Sequence, residues 1–497
     1  MSRSTTPVRV VLLCRAPTRN GPGPLTELCG RPMIRHVLAA AAPAGAGEIL
    51  LVGADREVAA ELGDGAPGEA PVRPVRDLAE LRAALAGTAT TVIIPSDTPM
   101  LTAASVTRLT GLLHQGGYAA VRLGPAWAFR SGDLVRALAE PSGASGPSGV
   151  PDPSADEADG TAPGGDLATG EPLVRAMHAL DSSGAHVATV EADAREAVRV
   201  VDQAGLATAR RLTRDRIVRS WMAAGVTVLD PETTWIDTDV VLAPGATVLR
   251  NTELRGGTVV GADTVIGPDC TLVDTVVGAG TRVRCSTLES VELGERNDVG
   301  PYAYLRGNTR SGRDVVMGSF THIKATTIGD DSKVPHFAYL GDGEIGKRTN
   351  LSGFTGFVNF DGLRRHRTVV GDDVMIGAGC ALVAPVTVAG GAYTAAGSLI
   401  TKDVPPGALA ITRVRQENID GWVESVMPGT PAARTAEALQ HQANGNGNAN
   451  GSSNGNGSSN GNGSSNGAAN GSSNGNGSAN GRANGAARGE PVGEGVR

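Results

Sequence analysis

Apolar residues recur at every sixth position through much of the second half of the chain. The step shortens to five residues between Leu272 and Val277 and is six again from Val277 to Val283. The six-residue step occurs again from Val370 to Ile400. These positions are Leu242, Val248, Leu254, Val260, Ile266, Leu272, Val277, Val283, Val370, Ile376, Leu382, Val388, Thr394 and Ile400. Gly often follows the apolar residue, which is typical of the hexapeptide repeat of a parallel β-helix. We expect three hexads per coil, the left-handed form, and one inward apolar residue per face.

The first part of the chain follows a different pattern, in which continuous apolar runs alternate with segments of helical spacing. The runs "RVVLLC", "EILLVGA" and "TTVIIPS" are typical of buried parallel strands, and "PMIRHVLAAAA" and "VRDLAELRAALAG" predict helices between them. This alternation predicts an α/β doubly wound, Rossmann-like sheet. A helical stretch, a strand-like "HVATVEA" and a long helix from about Gln203 to Ala224 follow.

Five segments result from these patterns. Residues 8–138 are expected to form the N-terminal α/β domain, and residues 139–167 a disordered linker rich in Pro, Gly, Ser and acidic residues. Residues 168–227 complete the N-terminal domain and supply a connecting helix, and residues 228–425 form the β-helix. Residues 426–497 are expected to be a disordered tail, because their Asn, Gly and Ser residues cannot offset the entropy of ordering.

The amino-acid composition argues against several classes of protein. A formal net charge of −7 without a basic block argues against a nucleic-acid partner. The sequence has neither a membrane-length apolar run nor the apolar region of a signal peptide, so we expect a cytoplasmic protein with no membrane partner. The five cysteines lack CxxC spacing, which disfavours both a disulfide framework and a zinc site, and no metal ligands are predicted.

Polar residues interrupt the six-residue pattern over residues 299–373. Arg306, Lys324, His336, Tyr339 and Asn350 stand there between the apolar positions. The segment "NFDGLRRHR" then leaves the coil as an inserted loop before the repeat resumes. Because solenoids carry their functional groups on loops and exposed faces, we expect the active site in this interval.

The motifs of this interval resemble a known enzyme family. In order, "YLRGN", "THIKA", "HFAYLGD", "NLSGF" and "NFDGLRR" are similar to Y-L-R-P-G, V-x-x-K, H-x-x-Y-x-G-D, N-I-G-A-G and N-Y-D-G of the bifunctional bacterial N-acetylglucosamine-1-phosphate uridyltransferase/glucosamine-1-phosphate N-acetyltransferases. The resemblance extends from residue 225 to about residue 422. It implies a homotrimeric left-handed β-helix enzyme that takes acetyl-CoA and an amino-sugar phosphate, above all glucosamine 1-phosphate, in the synthesis of UDP-N-acetylglucosamine for the cell envelope.

The resemblance also implies roles for single residues. His336 matches the general base that takes the proton of the amine, a task that suits imidazole. The substrate positions are Arg306, Lys324, Tyr339, Asn350 and Arg365, and the acetyl-CoA positions are Gly353, Asn359, Phe360, Ala378, Ala396 and Arg413. Arg365, Phe360 and Ala378 stand where the family has Lys, Tyr and Ser, which removes hydrogen bonds. His322 and His366 match no family position, and we expect both at the surface.

The N-terminal domain departs further from the family. The family's phosphate loop reads L-A-A-G-x-G-T-R-M with a later P-K, but residues 15–17 lack its glycines and the Lys position falls on Gly23. Asp97 in "PSDTPML" keeps one metal-binding position, and the second falls near Val201-Asp202. The uridine-reading and sugar motifs are absent. We therefore expect a degenerate nucleotidyltransferase-like domain without uridyltransferase activity, which needs Mg²⁺ only if that activity survives.

Two alternatives stay open at this point. One is the full bifunctional enzyme, with an altered loop that still binds uridine triphosphate. The other is a non-catalytic trimeric scaffold, in which the changes at Phe360, Arg365 and Ala378 mark relaxed constraint.

Overall fold

The computed structural model describes residues 8–14, 21–42, 45–63, 70–139 and 171–447. The altered loop at 15–20, nearly all of the predicted linker and the chain beyond residue 447 lie outside this range. The chain divides after Val414 into two units, and the first holds both the N-terminal sheet and the solenoid. None of the helices described is at once long and apolar enough to cross a bilayer.

The described residues of the N-terminal domain form nine strands. They are β1 (Val8–Leu13), β2 (Glu27–Leu28), β3 (Arg31–Pro32), β4 (Ala46–Val52), β5 (Val72–Val75), β6 (Thr90–Pro95), β7 (Ala120–Leu123), β8 (Ala126–Arg130) and β9 (Val187–Val190). Seven form one sheet of order β5-β4-β1-β6-β8-β7-β9. The four strands from β5 to β6 are parallel, whereas β8 is antiparallel to both of its neighbours.

Helices cover both faces of this sheet. They are α1 (Met33–Ala41), α2 (Arg56–Leu62), α3 (Leu78–Leu85), α4 (Ala103–Gln115), α5 (Ser131–Ala137) and α6 (Glu171–Ser182). Side chains alternate along β1, so Val10 and Leu12 enter a core with α1, α2 and α4, while Val11 and Leu13 enter one with α3, α5 and α6. The predicted doubly wound sheet is confirmed.

A long helix, α7 (Gln203–Ala223), connects the sheet to the solenoid. It ends one residue before the predicted boundary. Asp202 caps its start, because the Gly205 N–H donates to Asp202 Oδ1 at 2.6 Å. Val218 of this helix belongs to the same buried core as Val228 and Ile236 of the first coil, so α7 covers the end of the β-helix.

The solenoid contains 26 strands. They are β10 (Thr227–Val228), β11 (Trp235–Ile236), β12 (Val241–Leu242), β13 (Thr247–Val248), β14 (Thr252–Arg255), β15 (Val259–Val260), β16 (Val265–Ile266), β17 (Cys270–Val273), β18 (Val276–Val277), β19 (Arg282–Val283), β20 (Thr287–Leu293), β21 (Asp298–Val299), β22 (Tyr304–Ser311), β23 (Val316–Lys324), β24 (Thr327–Ile328), β25 (Lys333–Gly341), β26 (Gly343–Ile345), β27 (Asn350–Leu351), β28 (Gly356–Val358), β29 (Thr368–Val370), β30 (Met375–Ile376), β31 (Ala381–Val383), β32 (Val386–Val388), β33 (Tyr393–Thr394), β34 (Leu399–Ile400) and β35 (Leu409–Ala410).

Parallel pairing between strands of successive coils builds the β-helix. Leu242 pairs with Val260, and Val248 with Ile266, each across 18 residues. All fourteen positions of the predicted six-residue pattern are buried. Gly261, which follows Val260, lies so close to the next coil that a Cβ there would be 2.7 Å from the backbone nitrogen of Ala279, so only glycine fits this position. The hexapeptide prediction is confirmed.

The coils change length where the polar residues occur. Met317 pairs with Val334 across 17 residues, and Leu351 pairs with Ile376 across 25, because the loop at 359–367 leaves the coil between them. On one corner, four exposed rings stack in successive coils with centroids 5.0 to 5.2 Å apart. They are Tyr302, Phe320, Phe337 and Phe354.

The part of the second unit that the structure describes, up to residue 447, forms two helices, α8 (Trp422–Val426) and α9 (Pro431–Gly447). They contact each other, with Gln440 Nε2 donating to Glu424 Oε1 at 2.9 Å. The expectation of a disordered tail from residue 426 is therefore wrong for α9. The physical reason is composition, since "PAARTAEALQHQ" is rich in the strong helix formers Ala, Glu, Leu and Gln.

Candidate functional site

Two columns of side chains form the centre of the polar interval. Tyr304 of β22, His322 of β23 and Tyr339 of β25 are register partners in consecutive coils. Arg306 pairs with Lys324 in the same way. Because parallel strands lie about 4.8 Å apart, the register alone brings these predicted substrate residues together.

Neighbours hold the Arg306 side chain on two sides. Its Nε donates to Nε2 of His322 at 3.1 Å, and its guanidinium carbon lies 5.5 Å from the ring centroid of Tyr304. The Tyr304 hydroxyl donates to Glu289 Oε2 at 2.8 Å, which raises the pKa of Tyr304. Within the described chain, neither Arg306 nor Lys324 forms an ion pair with a carboxylate. The two cations are therefore available to an anionic ligand.

His322 lies in the column between Tyr304 and Tyr339, on the outer face of the coil, as expected of a surface residue. Its ring is half-buried, 5.0 Å from the Tyr304 ring and 5.3 Å from the Tyr339 ring. Burial first, and then the charges of Arg306 and Lys324, lower the pKa of His322. The available signal was its position two residues before Lys324, the same offset that separates Tyr304 from Arg306.

His336 lies in β25 with its side chain exposed. Its ring covers Gly353 of the next coil, where a Cβ would lie 2.6 Å from His336 Cδ2 and 2.9 Å from Nε2. The edge of the His336 ring also meets Phe337, with the centroids 6.2 Å apart. In the part of the chain that the structure describes, neither ring nitrogen has a hydrogen-bond partner, so both are open to a ligand.

A strip of small residues continues from His336 along the solenoid. Gly353, Ala378 and Ala396 occupy equivalent positions in consecutive coils, as the pairs around them show. The Gly379 N–H donates to Gly353 O at 2.9 Å, and the Gly397 N–H donates to Ala378 O at 2.8 Å. At the far end, Arg413 Nη1 donates to Ala396 O at 3.1 Å. Three of the predicted coenzyme residues, Gly353, Ala378 and Ala396, thus form a strip without large side chains that runs from His336 to Arg413.

The inserted loop folds back on the same coils. Asn359 Nδ2 donates to Asp342 Oδ2 at 2.5 Å, and Phe360 forms an antiparallel bridge with Arg365. Tyr339 and Asn359 converge over Gly341, since a Cβ there would lie 2.7 Å from the Tyr339 hydroxyl and 2.6 Å from the Asn359 amide nitrogen. The loop residue Asn359 is therefore brought to Tyr339, and Phe360 to Arg365.

A short turn gives this loop its shape. Asp361 Oδ1 accepts from the amides of Leu363 and Arg364, both at 2.7 Å, and its Oδ2 contacts His366 Nε2 at 2.6 Å. The Arg364 amide, then His366 and then the Leu363 amide hold the pKa of Asp361 well below its ordinary value. The partly exposed His366 thus supports the loop.

Asn350 is the predicted residue that the structure leaves apart. Its Nδ2 donates to Met375 Sδ at 3.2 Å. Within the described residues, no hydrogen bond or ion pair connects Asn350 to the other candidate side chains.

The carboxylate that matches a metal-binding position of the family, in the N-terminal domain, has a protein partner. Asp97 follows β6, is 5% exposed, and binds Arg199 through both oxygens: Nε reaches Oδ1 at 3.3 Å and Nη2 pairs with Oδ2. The Val200 N–H donates to Asp97 O at 2.8 Å. The second candidate, Asp202, caps α7. Among the residues described, no group of three or more His, Cys, Asp or Glu is arranged to hold a metal ion.

The five cysteines are free. Three are buried, and burial raises the pKa of Cys14 to about 12 and that of Cys270 to about 11. They take no part in the columns or the strip.

Comparison with known proteins agrees with both parts of the structure. The MobA-like NTP transferase domain family matches residues 19–151. The bifunctional protein GlmU of Kineococcus radiotolerans is 38% identical over 460 residues, which cover 85% of this chain and 92% of that protein. GlmU of Streptomyces avermitilis is 45% identical over 276 residues, which cover 55% of this chain and 57% of that relative.

The chain thus spans little more than half the length of the Streptomyces relative but nearly all of the Kineococcus one. Among solved structures, LpxA from Acinetobacter baumannii aligns with 15% identity and a TM-score of 0.24, over 37% of this chain and 71% of that one. The two-part architecture and the long alignment with the Kineococcus protein lead to one conclusion: this chain belongs to the bifunctional GlmU family.

Proposed function

We propose that the protein is an acetyl-CoA-dependent N-acetyltransferase of an amino-sugar phosphate, with glucosamine 1-phosphate as the preferred acceptor. Two features carry the proposal. His336 stands at the start of the small-residue strip that ends at Arg413, and Tyr339 of the same strand, β25, stands in the column beside that of Arg306 and Lys324. We further propose that it acts in the cytoplasm as a homotrimer, in the synthesis of UDP-N-acetylglucosamine.

Each group then has a chemical task. Arg306 and Lys324 bind the phosphate of the sugar by charge-assisted hydrogen bonds. The pantetheine arm of the coenzyme lies along Gly353, Ala378 and Ala396, and Arg413 meets its phosphates. His336 takes a proton from the amine as the nitrogen attacks the thioester carbonyl. The new C–N bond forms as the C–S bond breaks, and the thiolate of coenzyme A receives the proton from His336.

Thiol release tests this proposal. Purified protein with acetyl-CoA and glucosamine 1-phosphate should release coenzyme A, and His336→Ala should lower kcat by about 10²- to 10⁴-fold, the usual contribution of a general base. His178→Ala, an exposed histidine of α6, is the matched control and should keep full activity. If no amino sugar or amino-sugar phosphate gives thiol release, the protein is not this acetyltransferase, and the scaffold reading gains support.

We also propose that uridyltransferase activity is lost. Arg199 supports this, because its guanidinium takes both oxygens of Asp97, so a divalent cation does not fit there, and Asp202 is already bound at the start of α7. Family membership and the NTP-transferase match favour the opposite candidate, the full bifunctional enzyme. Pyrophosphate release from uridine triphosphate and N-acetylglucosamine 1-phosphate with Mg²⁺ decides between them. Release at the rate of a complete family member would overturn the proposed loss.

A further inference from the structure

His322 sits where it can control the direction of the Arg306 guanidinium. A guanidinium has two donor edges, and here Nε, on the inner edge, already donates to His322 Nε2 at 3.1 Å. The guanidinium carbon lies 5.5 Å from the centroid of the Tyr304 ring. With Nε engaged by His322, the other edge of the planar group, formed by Nη1 and Nη2, remains as a fork that suits phosphate oxygens.

The acceptor role requires an imidazole whose Nε2 carries no proton. The groups around His322 favour that form, since Arg306 and Lys324 are cationic and the neighbouring rings of Tyr304 and Tyr339 limit its contact with water. Glu289, the register partner of Arg306 one coil earlier, accepts a hydrogen bond from the Tyr304 hydroxyl. Among the described residues, no carboxylate contacts His322 to stabilise an imidazolium.

We propose that His322 is a positioning residue of the sugar-phosphate site: it accepts from Arg306 Nε and thereby aims the guanidinium at the phosphate of the acceptor. The proposal rests on the acetyltransferase function above. It adds a residue to that function, and it explains why a histidine stands between two tyrosines beside two cations. His322 touches neither the amine nor the thioester, so its loss should weaken acceptor binding and leave the chemical step intact.

The test compares two substitutions at one position. His322→Gln places an amide oxygen near the location of Nε2 and can still accept from Arg306, whereas His322→Leu keeps similar volume without an acceptor. For His322→Leu we expect KM for glucosamine 1-phosphate to rise about tenfold, the scale of one hydrogen bond to a charged group, with kcat and KM for acetyl-CoA unchanged. His322→Gln should stay within about twofold of the wild type in all three constants.

Glucosamine without phosphate is the second control. If His322 acts through the phosphate-binding guanidinium, His322→Leu should leave KM for glucosamine unchanged. An equal rise in KM for both acceptors, or an equal effect of Gln and Leu, would overturn the positioning role in favour of a structural one. His178→Leu on α6 should change nothing.

Calorimetric binding of glucosamine 1-phosphate separates this inference from the proposed function. Tenfold weaker binding to His322→Leu than to the wild type and to His322→Gln supports the positioning role even if no acetylation occurs. Equal binding to all three proteins overturns it even if the wild type is an active acetyltransferase.

Discussion

Replacing Arg199 by Met should loosen a defined part of the N-terminal domain. The side chain of Asp97 is 7% exposed and that of Arg199 37% exposed, and the pair joins the loop after β6 to the segment before α7. The Val200 N–H donates to the carbonyl of Asp97 directly beside this pair. Arg199→Met fills much of the same volume but leaves a nearly buried carboxylate without its counter-charge.

The size of the effect follows from burial. Removing one partner of a fully buried ion pair costs about 3 to 5 kcal/mol, because the other charge is left unsolvated. Here the guanidinium is more than a third exposed, so water can reach the Asp97 oxygens once it is gone, and we expect about 2 kcal/mol. Asp97→Asn combined with Arg199→Met should recover most of this loss, since an amide needs no counter-charge.

Amide hydrogen exchange measures this locally. In Arg199→Met, peptides that cover β6 and the segment around Val200 should exchange about 30-fold faster, the equivalent of 2 kcal/mol, while peptides of the β-helix stay unchanged. Arg195→Met, in the same segment but exposed, is the matched control. If Arg199→Met exchanges like this control, or if the double variant is as labile as the single one, the pair does not hold the two segments together.

Three further predictions concern other parts of the molecule. Gly343→Ala should destabilise the β-helix by about 1 to 3 kcal/mol, because the new Cβ would lie 2.7 Å from the buried Phe357 ring. Phe357→Leu makes room for this Cβ. The double variant should therefore lose less in thermal midpoint than the sum of the losses of the two single variants. Burial raises the pKa of Cys14 and of Cys29 to about 12, so both should stay protonated and resist iodoacetamide at pH 8 in the native protein; mass spectrometry should show labelling only as the pH approaches 12 or after unfolding. Arg413→Leu should raise KM for acetyl-CoA about tenfold but not KM for S-acetylpantetheine, which lacks the phosphates; equal changes would place the coenzyme phosphates elsewhere.

The β-helix could be predicted because its core repeats locally. Each inward position, such as Leu254, pairs with the inward position one coil later, Leu272. The period of the apolar residues is therefore sufficient to predict the stacking of the coils. The same register carries over to Arg306 and Lys324, which are paired across 18 residues. Side-chain direction does not follow from the period, and for that reason the bond from Arg306 to His322 was missed.

Contacts between distant segments were also beyond the sequence patterns. Asp97 and Arg199 lie 102 residues apart and are separated by a segment outside the described range. No periodicity relates the two positions, so their pairing follows only from the tertiary structure. The helix α9 escaped prediction for a different reason: its helix-forming residues directly precede the Asn/Gly/Ser-rich tail, and the two were treated as one segment.

The charged residues on the β-helix distinguish the enzyme hypothesis from the scaffold hypothesis better than the fold does. The inward apolar residues stabilise the solenoid whichever residues occupy its outer face, so an enzyme and a non-catalytic scaffold would have the same fold. Elsewhere on its surface, arginines meet carboxylates, as in the pairs of Arg296 with Asp314 and of Arg348 with Asp373. Arg306 and Lys324 stand in adjacent coils without such a partner, and like charges that share a column repel each other even in water. A scaffold gains nothing from that repulsion, whereas a site for a phosphate dianion recovers it on binding.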